Sequence, residues 1–210
     1  MKVLLVNGSP HAKGCTYTAL SEVAKTLNEE GIEAEFFQIG TKPVSGCIAC
    51  GKCRTIGKCV FSDCVNDFVA LAKNADGFVF GSPVHYAAAS GAITSFMDRV
   101  FYSNSNSGQN AFYLKPAACI ISARRGGTTA TFDQLNKYFT ISQMPVISSR
   151  YWNMVHGTTP EDVQQDLEGL QVMRVLGRNM AWFLKCKEAG IKAGIPFPTQ
   201  EKTIFTNFVR

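Results

Sequence analysis

Short apolar runs alternate with amphipathic stretches along this chain. Residues 2–6 are apolar enough for a buried strand and end in the polar, glycine-bearing stretch Asn7-Gly8-Ser9-Pro10-His11-Ala12-Lys13-Gly14. Leu20, Val23, Ala24 and Leu27 then recur at helical spacing, with Gly31 as a natural stop. Residues 33–39 alternate and then turn apolar, which predicts a second strand closed by Gly40 and Pro43. Residues 44–65 have neither period and read as an insertion in a loop. A short helix is expected over 66–73 and a third strand over 76–81, where the run is continuously apolar as in a central parallel strand covered on both faces.

The same alternation continues to the carboxyl end. Residues 82–86 read as a polar loop, and Ile93, Phe96, Met97, Val100 and Phe101 form one helical stripe. The Ser-, Asn- and Gly-rich residues 103–110 read as a flexible loop, 116–123 as a fourth strand, and 124–129 as a third polar loop. Phe132, Leu135 and Phe139 mark a helix and residues 144–148 a fifth strand. Thr159 with Pro160 behind it opens one long helix whose apolar positions run from Val163 to Leu184. Five strands alternating with helices predict a doubly wound, three-layer α/β domain with a parallel sheet. No repeat or domain boundary interrupts residues 1–189. From Gly190 a tail holds Ile195, Phe197, Ile204, Phe205, Phe208 and Val209 without period. Apolar residues at that density are expected to pack on the domain or on a partner subunit.

The opening loop lies where an open α/β sheet binds anions, because unpaired N–H groups of the loop and helix start point outward. A Walker loop needs Lys then Ser/Thr after its second glycine, whereas Cys15 and Thr16 follow Gly14, and the G-x-G-x-x-G fingerprint is missing too. The hydroxyls of Ser9, Thr16 and Tyr17 and the backbone donors suit a compact terminal phosphate.

Composition sharpens this only in places. At 210 residues, 46% hydrophobic and 18% charged, the chain has the size and make-up of one well-buried globular domain. Lys2 leads straight into a strand and no apolar run is long enough for a bilayer, so neither leader nor membrane is expected, and the cytoplasm is the expected compartment. The net charge of +5 is dispersed, which suits an anionic cofactor and argues against nucleic acid. Of eight cysteines, five fall between Cys47 and Cys64, a concentration that points to metal or redox chemistry instead of a disulfide framework. Cys119 and Cys186 read as small buried hydrophobes, and His156 as structural.

The three polar loops taken in order resemble the NADPH-dependent FMN reductase branch of the flavodoxin superfamily. That resemblance implies a flavodoxin-like sheet of order 2-1-3-4-5 and bound FMN, reduced by NAD(P)H as a transient co-substrate. It places the FMN phosphate against Ser9, His11, Cys15 and Thr16, with Tyr17 among the cofactor-binding residues, and the flavin against Pro83, Val84, His85 and Tyr86. Arg125, Gly126 and Gly127 complete the pocket. His11 and Cys15 depart from the Arg and Asn frequent at those positions in the family. The spacing of Cys47, Cys50, Cys53 and Cys59 resembles that of the iron-sulfur flavoproteins, which implies a 4Fe-4S cluster. Three thiolates with two residues between each wrap one corner of a cube and a fourth returns after a short loop. Zinc held by the same thiolates, or a loop that shapes the flavin edge and holds no metal, are the competing readings.

The implied activity is an FMN-dependent oxidoreductase passing electrons from NAD(P)H to a quinone, flavin or protein carrier. A flavodoxin-like electron carrier and a thiol or metal redox sensor on the same fold are the rivals. A homodimer or homotetramer is expected, since a partner subunit commonly completes the flavin edge in this family.

Overall fold

The computed structural model describes residues 1–206, so Phe208 and Val209 of the tail lie outside the described residues. In chain order the elements are β1 (Lys2–Asn7), α1 (Cys15–Glu29), β2 (Glu33–Gln38), α2 (Cys53–Ile56), α3 (Cys64–Ala72), β3 (Gly77–His85), β4 (Ala88–Ala89), α4 (Gly91–Asn106), β5 (Ala117–Ala123), α5 (Thr128–Ile141), β6 (Met154–His156), α6 (Pro160–Gln165) and α7 (Leu167–Lys192). The parallel sheet runs β2-β1-β3-β5-β6, and β4 adds to β3 in antiparallel sense.

Side-chain alternation along the three central strands builds two cores. Leu4, Val6, Phe78, Phe80, Cys119 and Ile121 face α3, α4 and α5, where Phe68, Phe96, Phe101 and Phe139 meet them, with Phe112 from the segment between α4 and β5. Val3, Leu5, Val79, Ala118 and Ile120 face the other way, onto Leu20, Val23, Met173, Leu176 and Met180 of α1 and α7. Each fully buried Phe or Leu contributes roughly 1.5–3 kcal/mol of transfer free energy, so both faces of the sheet are secured independently of any ligand. Two glycines let backbone approach side chain at the top of the sheet. A Cβ on Gly8 would stand 2.6 Å from Ile93 Cδ1 and 2.7 Å from the Gly81 carbonyl oxygen, and one on Gly81 would stand 2.7 Å from Thr16 Cγ2. Only glycine brings β1, β3 and α1 this close.

Four expectations are corrected. The fifth strand is Met154–His156, not residues 144–148, where Val146 alone forms a bridge to Ala117. The Ala117 N–H donates to the Pro145 carbonyl and Ile147 N–H to Ala117. Pro145 itself has no N–H to extend the ladder, and pairing resumes only where Ile121 N–H donates to Asn153 O. Residues 82–85 are not loop but the end of β3, because Ser82 and Pro83 pair with Ile121 and Ser122 of β5 and Ala88 and Ala89 fold back on His85 and Val84. Residues 103–106 are the last turn of α4. The last helix is two helices: Asp166 departs from helical geometry, at φ −76° and ψ 73°, and its carboxylate accepts from Gly169 N–H to cap a new start.

The cysteine insertion carries α2 and the first two residues of α3, and α7 runs on to Lys192 before the tail. There Ile195, Phe197, Ile204 and Phe205 are exposed. Among the described residues no helix is long and apolar enough to cross a membrane.

Candidate functional site

The carboxyl ends of β1, β3 and β5 surround a cavity of about 620 Å³. Its floor is hydroxyl-rich and buried: Ser9, Thr16 and Ser122 are each under 5% exposed, at 4%, 1% and 3%. Thr16 Oγ1 and Ser122 Oγ share one hydrogen bond of 2.8 Å, so of their two protons one remains free for a ligand. Ser9 Oγ accepts from His11 N–H at 3.2 Å and keeps its own proton to donate. The loop is held in shape from β2: Asn7 Nδ2 donates to Gln38 Oε1 at 2.6 Å, and Gln38 Nε2 donates to Ser9 O at 2.7 Å. Gly14 precedes α1 with no side-chain cap, leaving the first-turn N–H groups of that helix facing the loop.

Ser9, His11, Cys15, Thr16, Pro83, Val84 and His85 all line this cavity. The Cys15 thiol, 3.7 Å from the Gly157 carbonyl, is pushed up in pKa by burial first and then by Asp162 and Glu161. The other expected residues stand elsewhere. Tyr17 packs its ring 4.9 Å from that of Phe36, outside the cavity. Tyr86 stands wholly exposed at the tip of the β3–β4 hairpin, with φ +57°. Arg125 and Gly126 flank the cavity without lining it, and Arg124 is the arginine in its wall. Gly127, at φ +92°, opens α5, and a Cβ there would meet Val84 Cγ1 at 2.8 Å, so the third loop closes directly on the second.

The rest of the lining is residues 12–14, Ser122, Ala123 and residues 157–160. Thr159 and Asp162 form a capping box at α6 that fixes this segment. The helix-start signal at Thr159-Pro160 was legible. Its place in the site depends on β6, a strand the sequence did not reveal.

A second, smaller cavity is lined by Cys47, Cys50, Cys53 and Cys59 together, with Val60, Phe61 and Arg99. All four thiols are free, Cys47 and Cys50 exposed and Cys53 buried. Left-handed backbone at Ala49, Gly51 and Gly57 folds the loop on itself between them. Asn66 pins its far end, donating to Cys59 O and Phe61 O and accepting from Cys59 N–H. Gln109 Nε2 and Arg54 Nε tie it to the end of α4, through Gly57 O and Asn106 Oδ1. Cys64 is the first residue of α3 and lies outside this cavity, its thiol raised in pKa mainly by burial. As the side chains stand, no three ligand groups converge at metal distance among the described residues. Four free thiols around one apolar space nonetheless match the donor set of an iron-sulfur cluster.

Arg99 was not anticipated. It is 1% exposed, bound by Asp63 and Cys59, and those bonds outweigh burial to hold its pKa above the ordinary value. The cavity of the hydroxyl floor and that of the cysteines share no residue.

Sheet order and cavity define a flavodoxin-like α/β protein. A flavodoxin from the domain Archaea superposes with a TM-score of 0.57 at 16% identity, over 88% of this chain and 99% of that one. Residues 1–159 match the model of the NADPH-dependent FMN reductase family, and the chain belongs to that family. An iron-sulfur flavoprotein of Methanocaldococcus jannaschii is 32% identical over 194 residues, 88% of this chain and 98% of the relative. A second from the same organism is 27% identical over 188 residues, 83% of this chain and 92% of the relative. The protein is thus a flavin oxidoreductase, of a family that works with FMN and NADPH.

Proposed function

We propose that FMN lies in the 620 Å³ cavity, with its phosphate at Ser9–Thr16 and its ring against Pro83, Val84 and His85, and that Cys47, Cys50, Cys53 and Cys59 hold a 4Fe-4S cluster. The observation that carries this reading is the pairing of two built sites in one chain: a buried hydroxyl floor at the sheet's carboxyl ends and four free thiols around a single cavity. The names of the two relatives support the second site.

When held by these residues, FMN would supply hydride-accepting and one-electron chemistry, and a cluster on Cys47, Cys50, Cys53 and Cys59 would supply a one-electron relay. The protein's own part is to bind and orient. Ser9, Thr16 and the first-turn N–H groups of α1 offer donors to a dianionic phosphate. The wall at Gly127 and Val84 fixes where the ring edge sits, and the neutral Cys15 thiol adds no competing charge. Exposed Cys47 and Cys50 bring the cluster loop to the surface, within reach of a protein carrier or a small acceptor. A homo-oligomer fits this arrangement, because a neighbouring copy could bring its cysteine loop to the flavin edge that this chain's own loop does not share.

FMN-loaded protein purified without oxygen should oxidise NADPH and reduce about two equivalents of a one-electron acceptor per NADPH. Absence of NADPH oxidation with any of a quinone, free flavin or a one-electron acceptor contradicts the proposal.

A further inference from the structure

Arg99 sits on α4 among Phe96, Met97 and Val100, and its guanidinium is spent entirely on the cysteine loop. Nη1 donates to Asp63 Oδ2 at 2.6 Å and to Ser45 O at 3.3 Å, and Nη2 donates to Asp63 Oδ1 at 2.9 Å. Nε and Nη2 also donate to Cys59 Sγ, at 3.3 and 3.2 Å. The Phe61 ring lies 4.7 Å from the guanidinium carbon. One cation therefore ties the backbone before the first cysteine to the sulfur of the fourth and to the cap of α3.

The fork to Asp63 already neutralises this buried charge. Two further N–H groups aimed at a thiol, a weak acceptor, would be a poor use of buried donors. Aimed at a sulfur that carries negative charge, as a metal-bound thiolate does, they form charge-assisted bonds. Donors to a ligand sulfur draw electron density from the cluster and stabilise its more negative, reduced state, the more so where water is excluded.

From this geometry we infer that Arg99, acting through Cys59, raises the reduction potential of the cluster held by Cys47, Cys50, Cys53 and Cys59. The inference rests on the cluster reading above. An arginine keeps its charge at every working pH, so the effect is permanent. Asp63 offsets part of it, which makes the two side chains opposed: removing Arg99 lowers the potential, and removing the charge of Asp63 raises it.

The test is an anaerobic redox titration followed by electron paramagnetic resonance, on native protein, Arg99→Met, Arg99→Lys and Asp63→Asn, with iron measured per chain. Arg99→Met should lower the reduced-to-oxidised ratio at fixed potential about tenfold, a shift of about 59 mV for one electron. Arg99→Lys should recover part of that shift, and Asp63→Asn should move the midpoint the opposite way. Asn can still accept from Val65 N–H at the α3 cap, as Asp63 does, so this variant carries the test even where Arg99→Met fails to fold. A purely structural pin would change iron content or melting temperature and leave the midpoint fixed. Iron-loaded variants with the native midpoint, or Asp63→Asn alone with it, overturn the role of Arg99 and leave the cluster reading standing. Native protein without iron after anaerobic reconstitution overturns the cluster reading, and this inference with it.

Discussion

Apo-protein carrying Ser9→Ala and Thr16→Val is expected to bind FMN at least about a hundredfold more weakly than the native chain, while its affinity for riboflavin changes little. Each lost hydrogen bond to a charged group costs about 1.5–3 kcal/mol, and about 1.4 kcal/mol is a tenfold change in affinity. Both side chains are almost fully buried in the cavity floor, so water does not readily replace their donors. Thr16→Val keeps the shape that fits beside Gly81 while leaving Ser122 Oγ without its partner. Riboflavin has the same ring and ribityl chain but no phosphate, so the ratio of the two affinities isolates the phosphate site from general damage. Fluorescence titration of both ligands checks it. Equal loss of FMN and riboflavin would move the phosphate away from Ser9–Thr16.

Substituting Ser for Cys53 or Cys59 is expected to strip most of the iron from anaerobically reconstituted protein, from about four atoms per chain. Serine for Cys64 or Cys186 should leave it in place. The contrast follows from position. Cys53 and Cys59 line the shared cavity with Cys47 and Cys50, whereas Cys64 begins α3 outside it and Cys186 is exposed on α7. Cys53 is only 6% exposed, so its thiol has no role on the surface that would explain its place there. Iron analysis with melting curves separates metal loss from misfolding. Iron loss from Cys64→Ser equal to that from Cys53→Ser would show that the ligand set has been drawn wrongly.

The three central strands were readable because each is a continuous apolar run, and two faces covered by helices require that pattern. The edge was not. Met154-Val155-His156 contains one fully buried residue, too little for any period, and Pro145 within a more apolar stretch drew the expected strand ten residues too early. The polar letters of Ser82-Pro83-Val84-His85 likewise hid the end of β3, whose strand character comes from pairing of Ser82 and Pro83 with β5 and of Val84 and His85 with Ala88–Ala89.

For the sites, whatever depended on local order was legible: the first loop with its hydroxyls, and the cysteines three apart. Whatever depended on distant contact was not. Gln38 shapes the Ser9 loop across 29 residues, and Ser122 completes the Thr16 hydroxyl pair across 106. Tyr17 follows Thr16 in sequence but packs on Phe36, a step further round α1 and away from the cavity. Arg99 did leave a trace, as the single charge within the apolar stripe from Ile93 to Phe101 apart from Asp98 at its side. A cation on a buried helix face needs an anion opposite, and Asp63 at the end of the cysteine loop supplies it.

The most direct test of the two-site account is a stoichiometric reductive titration of the anaerobically purified, FMN-loaded protein, following the visible spectrum. FMN takes two electrons and a 4Fe-4S cluster one, so the account predicts about three electrons per chain, with flavin and broad iron-sulfur absorption both bleaching. An end point of about two electrons, with flavin bleaching alone, would contradict it.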